Sequence, residues 1–177
     1  MRLTFFTAAS LVLGALGSAL GKKCLTEDAA TQVANNFRST IAAYTPELAA
    51  RVFAVDFLDY SDGVNMLMNN GCPNGPKPLG SPTFTSLADF QAAQGTQPPI
   101  PFEILKIWYN CNTVTLRWRS VAPGFVQPEQ QVTGLIVLET TRSKGEEPFL
   151  IQTVYSEFNS GAWLYDLGIF VPTNCTA

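Results

Sequence analysis

An α+β fold follows from three features of the sequence. Helical periodicity is concentrated in the first half, long strand patterns fill the second half, and no helical segment separates those later strands. Consecutive strands without helices between them pair antiparallel, because parallel neighbours need a long crossover connection. With 177 residues, 46% of them hydrophobic, the chain has material for one domain with a single sizeable core.

The first twenty-one residues stand apart from that domain. Arg2 gives a positive start, Leu3 to Leu20 is apolar and small, and Gly17-x-Ala19 and Ala19-x-Gly21 are small-residue cleavage sites. This is the pattern of a secretory signal peptide over 1–21, leaving 22–177 as the mature domain. The stretch is marginal in length and broken by glycines, which argues against a membrane anchor, and no later stretch spans a membrane. The expected location is therefore extracellular, with no membrane association once the leader is removed.

Within the domain, Thr26 is placed to cap a helix whose first turn holds Glu27 and Asp28, near the positive end of the helix dipole. Ala30, Val33, Ala34, Phe37 and Ile41 then recur at helical spacing. Thr45-Pro46-Glu47 opens a second, short helix by cap and proline, with Leu48, Ala49, Val52 and Phe53 as its apolar stripe. An acidic strand is expected over Phe53 to Asn65, where Asp56, Asp59 and Asp62 recur among Phe53, Val55, Phe57 and Tyr60. Gly71 to Pro82 is a loop, because its prolines remove backbone donors and its glycines weaken ordered structure. Ser86-Leu87-Ala88-Asp89 resembles a capping box for a short helix running to Gln94 and ended by Gly95. Strands follow over Phe102–Tyr109 and Thr113–Val121, joined by an Asn110-Cys111-Asn112 turn, then over Val132–Thr141 and Phe149–Phe158. Gly161 to Leu167 closes the chain as a helical turn.

Composition excludes several functions. Removing Arg2 with the leader leaves ten of the eleven basic residues against fourteen acidic ones, a net charge of −4. Nucleic acid is not an expected partner, since phosphate binding rests on clustered Lys and Arg. The chain has no histidine, so Ser-His-Asp and Cys-His catalysis and histidine-held zinc or iron are ruled out. No cysteine pair has metal-ligand spacing, and no metal or cofactor is expected. Cys24, Cys72, Cys111 and Cys175 are an even set, consistent with two disulfides in an oxidising compartment, and three pairings are open. Asn174-Cys175-Thr176 is a glycosylation sequon.

The helix pair, the D-F-L-D-Y-S-D strand, the third helix and the runs F-E-I-L-K-I-W, T-L-R-W-R, V-T-G-L-I-V-L and V-Y-S-E-F-N-S-G-A-W-L-Y-D-L-G together resemble the nuclear transport factor 2-like superfamily. The similarity is to its SnoaL-like branch and to small secreted fungal proteins carrying that domain, and it extends from Thr26 to about Pro172. It implies a cone: a curved sheet wrapped around the first helix, with a pocket at the wide end, the acidic strand beside the last strand, and dimers formed through the convex face. It also implies an isomerase-type base at Asp62, while the position of the isomerases' oxyanion-stabilising tyrosine holds Phe37.

Asp62 thus has two readings, a general base in an apolar pocket and a turn residue in Ser61-Asp62-Gly63. Asp56 and Asp59 are expected to face solvent or cap backbone, as carboxylates usually do. On the last strand, Gln152, Val154, Ser156 and Phe158 share one face and Thr153, Tyr155 and Glu157 the other. If the second lines the pocket, Tyr155 supplies the donor missing at Phe37, and Glu157 a second carboxylate. Phe37, Trp108, Trp118, Tyr155 and Glu157 are the candidate ligand-binding set. Three functions follow: a cone that holds a small, largely apolar molecule; a cofactor-free isomerase, cyclase or dehydratase using Asp62 and Tyr155; and an interaction protein using its convex face, as monomer or homodimer.

Overall fold

The computed structural model describes residues 24–120 and 129–173. The leader, the Asn174 sequon and Cys175 lie outside these residues. Helix α1 (Glu27–Ala42) begins where Thr26 Oγ1 accepts from the Ala29 N–H, and α2 (Pro46–Val52) begins the same way at Thr45. Strand β1 (Phe53–Tyr60) is followed by α3 (Asp62–Met68), α4 (Leu87–Gln94), β2 (Glu103–Tyr109), β3 (Thr113–Ser120), β4 (Val132–Arg142), β5 (Phe149–Phe158) and α5 (Ser160–Asp166). Among the described residues no helix is long and apolar enough to cross a membrane.

Among the described residues, five strands form one open sheet in the order β1-β5-β4-β3-β2, with β1 parallel to β5 and the other pairs antiparallel. The acidic strand is therefore beside the last strand, as expected. The α+β class stands. Register shifts between Phe53 and Leu58, Ile104 and Lys106, and Glu139 and Thr140 bend and twist the strands, which is how bulges curve a sheet. The alternating side chains Val114, Leu116 and Trp118 of β3 and Ile136 and Leu138 of β4 are buried on the inner face, where α1 packs against β2, β3 and β5.

One element departs from expectation. The acidic strand stops at Tyr60, and Ser61-Asp62-Gly63 starts a helix in place of a tight turn. Ser61 Oγ accepts from the Val64 N–H, and Asp62 lies in the first turn. The same residue types serve both structures, because a serine that satisfies an orphan N–H works equally as a turn residue and as an N-cap. A β-carbon at Gly63 would fall 2.8 Å from Cε1 of Phe158, so a larger residue here would force that ring to move.

The interior is filled by aromatic rings. Phe53 lies 4.3 Å from Phe57 and 4.9 Å from Phe90, and Phe37 meets both Phe53 and Phe102 edge-on. Phe102 stacks on Trp118 at 4.5 Å, and the series continues through Phe158 to Trp163. Such offset and edge contacts add to the gain from burying large apolar surfaces.

Candidate functional site

The sequence-predicted residues do not form one site. Phe37 and Trp118 are buried in the aromatic core. Trp108, Tyr155 and Glu157 lie on the other side of the sheet. The pairing settles the orientation of β5: Val154 and Ser156 point inward and are buried, while Tyr155 is 44% exposed and stacks on Tyr60 at 5.4 Å. The arrangement that would have placed Tyr155 and Glu157 in the pocket is therefore corrected. Glu157 instead holds the start of α3, where its carboxylate accepts from the N–H groups of Asp62 at 3.1 Å and Gly63 at 3.3 Å. That is where negative charge is favoured. Asp62 is partly exposed, and its carboxylate accepts from the Gly80 N–H at 2.6 Å, tying the proline-rich loop to α3.

The acid that does point inward is Asp59. It was expected at the surface or capping backbone, yet it is 6% exposed. Two features of β1 cause this. Asp59 is paired with inward-facing Val154, and residues Thr83 and Phe84 fold back along the free edge of β1, with an Asp59–Phe84 bridge. Buried Ser61, Asn65 and Thr83 complete a polar cluster around it. Thr83 Oγ1 accepts from the Ser61 N–H at 2.9 Å and lies 3.1 Å from the Ser61 carbonyl, to which it donates. Asn65 Nδ2 donates to the Ser81 carbonyl, and Lys77 Nζ to that of Thr83. Among the described residues, Oδ1 of Asp59 and Oδ1 of Asn65 are both buried without a hydrogen-bond partner.

Burial pushes the Asp59 carboxyl up to about 7, with a further contribution from the negative charge of Glu157 and partial opposition from the Thr83 hydroxyl. A carboxyl placed this way holds its proton near neutral pH and can both give and take one, as general acid–base chemistry requires. Asp56 does face solvent and accepts from Gln152 Nε2 at 2.8 Å. Among the described residues no group of three or more acidic or cysteine side chains is arranged to hold a metal.

The outer face of the sheet is the second feature. Strand register lines up Tyr60, Tyr155, Val137, Thr115 and Trp108 in one row across all five strands. Beside it runs a row of Glu157, Leu135, Arg117 and Lys106. Leu135 is 52% exposed and Trp108 47%. Outside the core there is also a cleft of about 310 Å³ between α3 and α5, bordered by Met66, Gly71, Leu164, Ile169 and Phe170.

A family model for the NTF2-like domain matches residues 23–170. The chain belongs to that family. The NTF2-like domain also superposes on solved structures of low sequence identity, which share its fold. A candidate polyketide cyclase from Bacillus cereus is 13% identical with a TM-score of 0.57, covering 83% of this chain and 87% of its own. Wild-type IdmH, a candidate polyketide cyclase from Streptomyces antibioticus, is 14% identical with a TM-score of 0.54, covering 78% of this chain and 98% of its own. A SnoaL-like protein of unknown function from Burkholderia thailandensis is 14% identical with a TM-score of 0.51, covering 76% and 98%. No curated protein matches the chain.

Proposed function

We propose that this NTF2-like domain is a secreted interaction module that works through the outer face of its sheet, and that a second copy of the chain is the occupant this face fits best. The observation that carries the reading is the distribution of aromatic surface. The inside of the cone is occupied by the protein's own rings, while Trp108, Leu135 and Tyr155 stand exposed outside. Exposed apolar side chains that continue across a sheet mark a contact surface.

Charge favours self-association. The second row runs from acidic Glu157 on β5 to basic Arg117 and Lys106 on β3 and β2. A two-fold axis lying between two such faces, along the strands, sets the acidic end of one copy opposite the basic end of the other, as an isologous interface requires. A small apolar molecule, the other partner expected from the sequence, finds room in the cleft between α3 and α5 and not among the packed rings. Secretion is supported by the leader pattern over 1–21 and by the Cys24–Cys111 disulfide, a bond of oxidising compartments.

Sedimentation across the micromolar range tests the reading. The wild type should be a dimer that Leu135→Glu and Tyr155→Arg convert to monomers of unchanged melting temperature. A wild type that stays monomeric throughout overturns it.

Asp59 favours a second reading, acid–base chemistry on a small carbonyl compound without a cofactor, in line with the polyketide cyclase descriptions of structural neighbours. Deuterium exchange next to the carbonyl of small ketones, present in the wild type and lost in Asp59→Asn, would support it. Equal exchange by the two proteins would remove it.

A further inference from the structure

Strand β1 is one edge of the sheet, and residues 80–84 lie along it as a strap. The Asp59 N–H donates to the Phe84 carbonyl at 3.0 Å, and the Asp59 carbonyl accepts from the N–H groups of Thr83 at 2.8 Å and Phe84 at 3.3 Å. Two further ties run to α3. The Gly80 N–H donates to the Asp62 carboxylate at 2.6 Å, and Asn65 Nδ2 donates to the Ser81 carbonyl at 3.1 Å. Both flanks of the strap are held by other contacts. Buried Asn69 grips both backbone groups of Lys77, at 2.7 and 3.0 Å, and the Thr85 hydroxyl donates to Asp89 at the capped start of α4. Residues 80–84 are therefore free to leave the edge while their flanks stay in place.

The strap also closes over Asp59. Thr83 of the strap, with Ser61 and Asn65, buries the carboxyl, and among the described residues no donor reaches its Oδ1. A neutral acid tolerates such a place, whereas an ionised one without a partner is strongly disfavoured there. The charged and titratable groups around it bring no relief. Glu157 of β5 adds negative charge, and Lys77 gives its ammonium to the Thr83 carbonyl. Asp62 of α3 holds Gly80, Asp89 of α4 holds Thr85, and Tyr60 and Tyr155 stack on the outer face. We propose that residues 80–84 form a proton-operated strap, closed on the edge of β1 while Asp59 carries a proton and lifted when that proton is lost. Lifting admits water to the carboxylate and takes the Thr83 hydroxyl away from the Ser61 N–H at the start of α3. It also leaves the Asp59 backbone groups unpaired, an edge on which another strand can add. The device needs neither self-association nor carbonyl chemistry.

Closed, the carboxyl is raised to about 7, and lifting returns it toward its ordinary 3.8. The open form ionises first as pH rises, so opening becomes about tenfold easier per unit across that interval and levels off above 7.

Amide hydrogen exchange between pH 5 and pH 8, expressed as protection relative to an unstructured chain, tests this. In the wild type the amides of Asp59, Ser61 and Thr83 should be less protected than those of the β3–β4 ladder. Unlike the ladder, they should be insensitive to low urea, as a local opening requires. Their protection should fall roughly 50-fold from pH 5 to pH 7 and then flatten. Asp59→Asn should show no such fall. Asp62→Ala, which cuts the Gly80 tie, should lower protection at every pH with the fall retained. Strap amides that share the urea dependence of the ladder, a wild-type profile flat with pH, or a fall that persists in Asp59→Asn overturns the proposal.

Discussion

Replacing Asp59 by asparagine keeps the shape of a buried side chain and removes its ability to ionise. In the unfolded chain this carboxyl titrates near 3.8, and in the fold it is raised to about 7, chiefly by burial. A carboxyl raised by folding favours the native state while both states hold the proton, so its stabilisation is complete below the unfolded value. It is lost as pH rises, because the unfolded chain ionises first and the native one only near 7. The shift of about three units, at 1.36 kcal/mol each, corresponds to a loss of roughly 4 kcal/mol between acid and pH 8. Asp59→Asn should match the wild type near pH 4 and exceed it by up to about 4 kcal/mol at pH 8. Denaturant unfolding followed by tryptophan fluorescence at several pH values gives both curves. Their difference isolates Asp59 from the other carboxylates. Curves that run parallel from pH 4 to pH 8 would refute the assignment of a protonated, buried Asp59.

Other substitutions probe the neighbouring contacts. Glu157→Gln removes the charge at the start of α3 and should cost about 0.3–1 kcal/mol at pH 7. In the same titration it should also move the Asp59 transition downward, since Glu157 is one of the causes that raise it. Phe57→Ala empties a fully buried position beside Phe53 and Phe90. A loss of about 3–5 kcal/mol is expected in thermal or denaturant unfolding, and a loss below about 1 kcal/mol would contradict an interior packed by its own rings. Cys111→Ser opens the link to Cys24 and should cost about 2–5 kcal/mol by the same measurement.

Much of the architecture was legible in local chemistry. Thr26, Thr45 and Ser86 each cap the helix they were expected to start, and the alternation of Val114, Leu116 and Trp118 against Thr115, Arg117 and Arg119 identified the buried face of β3. Helix α3 was missed because Ser-Asp-Gly satisfies a turn and a helix start equally well. Burial of Asp59 was missed for another reason. Strand β1 carries apolar residues on both faces, with Phe53 and Phe57 on one and Leu58 and Tyr60 on the other, so alternation alone does not say which is inside.

The sequence by itself determined most element types, α3 excepted, the antiparallel run of the later strands and the exclusion of histidine chemistry, because periodicity, caps and composition act within a few residues of chain, and its motifs carried the family resemblance. Tertiary structure alone decided which acid is buried, which face of β5 looks outward and which cysteine Cys24 meets. Those outcomes depend on strand partners and on a loop folding back over an edge, contacts between residues far apart in the chain. Asp59 shows the difference: its sequence neighbours do not distinguish it from Asp56, and it is the fold, by burying it on the strand edge paired with Val154 and bringing Glu157 near, that raises its affinity for a proton against the opposing Thr83 hydroxyl.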